Sequence, residues 1–193
     1  METRKHEQLF LVLVPHRDTR AFLRKYSADI IKTGFKDGCL FPRIAPLAAI
    51  SQPFTKDELK QCASSIRETI VSDKNGGGRI LTKKASIAEF PANQYKTFLF
   101  GPQLELEFSQ NTLCESSVKK IVKFYPMPVI GVFLINSCES AIASFQPPQE
   151  LSFRTAAVAN MYYQQIDTGM IKTHGFKWKI GELSWLPKDL TKL

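Results

Sequence analysis

An α+β fold assembled from two related halves is what this sequence predicts, on three observations. First, Pro42-Arg43-Ile44-Ala45 is echoed far downstream by Pro128-Val129-Ile130-Gly131. Each runs proline, a variable residue, isoleucine and a residue without a side-chain functional group, then continues as an apolar strand. Proline is tolerated at a strand's first position because its missing N–H falls outside the ladder. Second, hydrophobic periodicity alternates between short continuous runs and a 3.6-residue period, so strands and helices are interleaved. Third, 193 residues with 44% hydrophobic and 23% charged content make one ordinary globular domain or two fused half-domains. A chain of this size buries roughly 70% of its unfolded surface, enough for a core without staples.

The elements follow in order. Residues 9–14, Leu-Phe-Leu-Val-Leu-Val, are a continuous apolar run suited to a strand covered on both faces. Over 18–33 the period lengthens. Phe22, Leu23, Tyr26, Ile30 and Ile31 share a helical face, Arg20, Arg24, Lys25 and Lys32 lie elsewhere, and Gly34 gives the stop. A loop over 35–42 delivers the first echo strand, 43–50. Thr55-Lys56-Asp57-Glu58 is a capping box, and Phe54 with Leu59 forms its hydrophobic staple. The helix it opens buries Leu59, Cys62, Ala63, Ile66 and Ile70. Its stop is the turn 73–78, whose triple glycine lacks the preceding strand, the Gly-Lys-Ser/Thr ending and the following helix of a phosphate loop.

Strands are expected over about 79–90 and 97–108. In the second, Leu104, Leu106 and Phe108 alternate with Gln103, Glu105 and Glu107, giving one buried and one wet face. A helix is expected over about 113–125, burying Val118, Ile121 and Val122 and showing Lys119, Lys120 and Lys123 to solvent. The second echo strand follows at 129–135, then a loop over 137–149 closed by Pro147-Pro148. Two strands, 151–166 and 177–186, end the chain, joined by a turn over 167–175. The order is β-α-β-α-β-β-α-β-β-β, a single domain over 1–193. Its two lobes, about 9–73 and 97–135, carry the echo strands, and 151–188 closes them.

The four cysteines (Cys39, Cys62, Cys114, Cys138) are widely separated, without Cys-x-x-Cys spacing. They read as reduced thiols in a reducing compartment, the cytoplasm, with neither zinc nor a disulfide framework implied. Three histidines (His6, His16, His174) show no metal spacing, and no cofactor is expected. No apolar run approaches the roughly 20 residues needed to span a bilayer, and 9–14 is too short for a signal-peptide core. The net charge of +8 favours an anionic partner, such as a phosphate, nucleotide or nucleic acid, or else a basic surface with no site.

This order of elements, with two Pro-entered strands separated by a helix, two strands and another helix, resembles the two-histidine (2H) phosphoesterase superfamily, the LigT-like and cyclic phosphodiesterase-like proteins. The closing Leu151-Ser152-Phe153-Arg154-Thr155-Ala156-Ala157-Val158 and Trp178-Lys179-Ile180-Gly181-Glu182-Leu183-Ser184-Trp185-Leu186-Pro187-Lys188 are similar to that family's ending. The resemblance implies a two-lobed, duplicated β-α-β fold with a central groove. It also implies cleavage of cyclic phosphates or 2′,5′ linkages by two His-x-Thr/Ser motifs that face each other. One imidazole would be general base and the other general acid, with hydroxyls holding phosphate oxygens. This chain departs at all four positions, which hold Arg43 and Ala45 in the first motif and Val129 and Gly131 in the second. Arginine does not act as a base near neutral pH, and valine transfers no proton.

The expected protein is therefore a catalytically degenerate 2H-like member that binds a phosphate, nucleotide or RNA end in a basic inter-lobe groove. Arg43 would grip the anion bidentately, or alternatively cap the strand end or pair with Glu105 or Glu107. Arg154 and Lys179 would line the same groove if the family layout holds, or stand as solvated rim charges. Two alternatives stay open: a divergent phosphodiesterase using His16 or His174, and a scaffold without ligand. Tyr162, Tyr163, Trp178 and Trp185 are candidate base-stacking rings, or core.

Overall fold

The computed structural model describes residues 6–32, 43–68, 70–72, 78–92, 95–134, 146–167 and 172–185. In chain order these form β1 (His6–Pro15), α1 (Arg17–Lys32), β2 (Ala45–Ile50), α2 (Lys56–Glu68), β3 (Val71–Ser72), β4 (Gly78–Ala92) and β5 (Tyr95–Leu104). A 3-10 turn (Gln110–Thr112), α3 (Glu115–Val118), β6 (Ile121–Phe124), β7 (Val132–Leu134), β8 (Glu150–Asp167) and β9 (Lys172–Trp185) complete the fold. The fold is α+β, with few helices on one antiparallel sheet of nine strands among the described residues.

β1 lies at the centre because both of its faces are apolar. Phe10, Leu11, Val12 and Leu13 are all buried, and β1 pairs with β2 on one edge and β8 on the other. Alternation sends Leu11 and Leu13 to one core and Phe10 and Val12 to the other. The first core takes the helices. There Leu23 and Tyr26 of α1 and Leu59, Cys62, Ala63 and Ile66 of α2 pack on Leu47, Ile50, Phe153 and Val158. The second core has no helical member and joins Ile44, Ala49, Ala157, Ala159 and Met161 to Leu99, Tyr125 and Val129.

The sheet follows the path β6-β2-β1-β8-β4-β5-β7 and curls into a half-barrel. The curl is tied by one stretch of chain. Residues 121–125 bond to β2, through the β6 ladder and Tyr125 N–H to Leu47 O at 2.9 Å. Residues 126–134 then bond to β5 and its continuation. Phe108 N–H donates to Pro126 O, Leu104 N–H to Pro128 O and Ile130 N–H to Pro102 O, before β7 pairs with β5. Strands at opposite ends of the path are thus held by successive residues, which a flat sheet about 29 Å across would not permit.

α1 and α2 form for the reasons their sequences give. The start of α1 is fixed to β8, where His16 N–H donates to Ser152 O and Ser152 N–H to Thr19 Oγ1, each at 2.9 Å. Tyr26 meets Phe100 of β5, ring centroids 5.9 Å apart. The capping box of α2 is present: Thr55 N–H donates to Glu58 Oε2 at 2.7 Å and Glu58 N–H to Thr55 Oγ1 at 3.3 Å. Phe54 and Leu59 are both buried in the same core, as a staple requires.

Four expectations need correction. The helix over 113–125 shrinks to α3, and Ile121–Phe124 is strand β6, with Val122 67% exposed rather than buried. Four of the five residues over 121–125 are β-branched or aromatic and Pro126 follows, so an edge of β2 offers more than further helix. The second echo strand narrows to Val132–Leu134, with Val129 making only an isolated bridge to Gln103; Ile135 lies outside the described residues. The strand expected to reach Phe108 ends as a ladder at Leu104, although Glu105 N–H still donates to Leu81 O. Finally β9 begins at Lys172, so His174 stands in a strand opposite Gln165 and not in a turn. The loops over 35–42 and 137–145, the Asp73–Gly77 part of the glycine turn, Cys39, Cys138 and the chain after Trp185 lie outside the described residues.

Candidate functional site

Each motif position can now be placed on a face. Ala45 is fully buried in the helix-side core, whereas Val129 is buried in the opposite one. The first-echo residue that shares Val129's core is Ile44, one position beyond Arg43. Ile44 and Val129 are thus two apolar side chains of one core, 4% and 3% exposed. Around them stand Phe10, Val12, Leu99 and Tyr125. Burial pushes the Tyr125 phenol well above its ordinary range, so it stays protonated and cannot serve as a base.

Gly131 has its own reason to lack a side chain. Its backbone crosses that of Gly101 on β5 so closely that a Cβ on either residue would stand 2.8 Å from the other's Cα. A Cβ on Gly131 would also collide with the carbonyl of Phe100, and one on Gly101 with the carbonyl of Ile130. The paired glycines permit the ladder between β5 and the strand after Ile130. A hydroxyl-bearing residue at 131 has no room while this approach is kept.

Arg43 lies on the other side, just before β2 and beside Arg24 of α1. It is half-buried, and its Nε is shut off from solvent without a hydrogen-bond partner. Burial, and then the positive charge of Arg24, lower its pKa from the ordinary arginine value. The alternative pairing with Glu105 or Glu107 is not formed; both carboxylates are exposed. On α1, Arg17, Arg20 and Arg24 are also exposed, spaced three and four residues apart. None of these four arginines has an acidic partner among the described residues.

The other predicted ligands do not converge on Arg43. Arg154 sits at the same end of the sheet, in a bulge of β8 where Val14 faces Thr155 but Pro15 faces Phe153. Phe153 turns into the helix-side core, so the exposed Arg154 leaves from the other side. Lys179 pairs with Asn160, which pairs with Leu9, six residues along β1 from Pro15. That is about 20 Å from the Arg43 end.

His16 stands at the α1 start with Nδ1 3.6 Å from Asp18 Oδ2, a carboxylate 83% exposed. That is a helix-start arrangement in which Asp18 faces water while His16 Nδ1 is itself shut off from solvent. No three or more His, Cys, Asp and Glu side chains come together among the described residues. No family model, curated protein or solved structure matches the chain. What the sequence reading missed was Arg24 as the neighbour of Arg43. Its signal was the arginine spacing on α1, read only as a solvated face.

Proposed function

We propose that this protein is a 2H-like binding module without acid–base chemistry, whose ligand is a phosphate group held by Arg43 together with Arg24. The carrying observation is the Arg43 guanidinium, with its Nε buried and unpartnered next to a second arginine. Two like charges kept together cost free energy unless an anion joins them. A partly buried guanidinium gains more from a bidentate phosphate than an exposed one does. The apolar Ile44–Val129 face argues for binding and against turnover, because the side chains clustered there include no histidine or carboxylate to act as a base. In this reading the anion sits on the α1 side of the half-barrel and not in a groove between facing histidine slots.

The test is thermal unfolding with inorganic phosphate, pyrophosphate and 2′,3′-cyclic nucleotides, run on the parent chain, Arg43→Ala and Arg24→Ala. Ligand at about 100 times its Kd adds roughly 2.7 kcal/mol, a readable shift in Tm. Loss of that shift in both variants supports the site. No shift with any phosphate, or a shift that survives Arg43→Ala, rejects it. Hydrolysis of a cyclic nucleotide that disappears in His16→Gln would instead establish the divergent phosphodiesterase.

A further inference from the structure

We propose that the outer face of α1 extends this anion site into a track for the sugar–phosphate backbone of a nucleic-acid strand. The inference rests on the Arg43–Arg24 phosphate reading. At 100° per residue, Arg17, Arg20 and Arg24 fall within about 60° of one another around the helix, and they span about 10 Å along it. Arg43 stands close enough to Arg24 to feel its charge. The acidic residues of α1, Asp18 and Asp29, lie about 100–120° around from Arg17, off the stripe. Ala21 and Ala28, both exposed, lie about 20–40° beyond Arg17 at the border of the stripe and are small enough to let a backbone approach.

Two features favour a nucleic-acid strand over other polyanions. Three arginines spaced over about 10 Å along one helix face match a repeating row of phosphates, where a single phosphate would use only Arg43 and Arg24. The large apolar side chains exposed to solvent among the described residues, Leu81, Val122 and Met127, all lie off α1, which disfavours a membrane surface there. Recognition through phosphates alone carries no sequence preference.

The experiment is fluorescence-anisotropy titration of a mixed-sequence strand of about 12 nucleotides, as RNA and as DNA, between about 50 and 200 mM salt. Three to four phosphate contacts predict a slope of log K against log salt of about −2 to −3. Arg17→Gln with Arg20→Gln should bring that slope about 1.4 nearer zero. The same double variant should leave the Tm shift from inorganic phosphate intact. Phosphate binding with no strand binding, or a slope unchanged by the double variant, overturns the track and leaves the anion site standing. Absence of both overturns the two readings together. Binding to vesicles of mixed phosphatidylserine and phosphatidylcholine, without strand binding, overturns the track in favour of a lipid surface.

Discussion

Glu58 offers the sharpest quantitative prediction. Its carboxylate closes the capping box of α2 and also meets Lys120 Nζ at 2.7 Å, with side-chain exposures of 9% for Glu58 and 20% for Lys120. Lys120 additionally donates to Pro53 O and lies 5.9 Å from the centre of the Phe54 ring. Burial alone pushes the Glu58 carboxyl up. Hydrogen bonds from Lys120, the Thr55 N–H, Ser116 and the Thr55 hydroxyl outweigh it and bring the carboxyl down to about 2. A fall from 4.5 to about 2 corresponds to at most about 3 kcal/mol, and solvent around Lys120 reduces the expected share to about 1–2 kcal/mol. The sign follows from linkage: this stability is fully present above pH 4.5 and is lost as pH falls towards 2. Urea unfolding of the parent chain and Glu58→Gln, at steps from pH 7 down to about 2.5, reads it directly. The parent should lead by about 1–2 kcal/mol at neutral pH, and the gap should close across the acid range. A gap that stays constant with pH would refute the charge argument and leave only lost packing.

Other outcomes follow from single contacts. Gly131→Ala should destabilise by more than about 3 kcal/mol or prevent folding, because the chain cannot yield to Phe100 and Gly101 together. Gly181→Ala, where an added Cβ meets only Val158 O at 3.6 Å, should fall within about 1 kcal/mol of the parent in the same urea titration. Thiol alkylation should modify Cys114 well before Cys62. Burial raises the Cys114 thiol, but hydrogen bonds from Ser116 and Ser117 lower it further, whereas Cys62 is fully buried and pushed up to about 12. Peptide mapping after timed iodoacetamide treatment checks the order, and equal rates at the two positions in folded protein would contradict the placement of Cys62.

Where local chemistry decides the structure, the sequence was readable. The run over 9–14 became the doubly covered central strand, and Thr55 with Glu58 capped α2 where the spacing said. The failures share a cause. Residues 119–125 have a helical arrangement of lysines and apolar residues, yet Ile121–Phe124 became strand because β2 had an open edge and Pro126 barred further helix. Only the tertiary fold reveals that edge. The partnership of Glu58 with Lys120, 62 residues apart in sequence, was hidden for the same reason.

The site was harder to read, because one residue of register decides everything about it. Successive strand residues face opposite sides, so taking Arg43 or Ile44 as the first slot assigns the position to different cores. Proline spacing aligns Arg43 with Val129, whereas the residue of the first echo that shares Val129's core is Ile44. The consequence is more than a relabelling. Ile44 goes to the core that holds Val129, so Arg43 lies towards the helix side with Ala45, and its partial burial near Arg24 needs an explanation of its own. Nothing in the packing of β2 demands a guanidinium there: Ala45 and Leu47 fill the helix-side core without it, and no carboxylate balances it among the described residues. A binding site on the α1 side supplies that explanation, because an anion between Arg43 and Arg24 would turn their repulsion into a shared attraction.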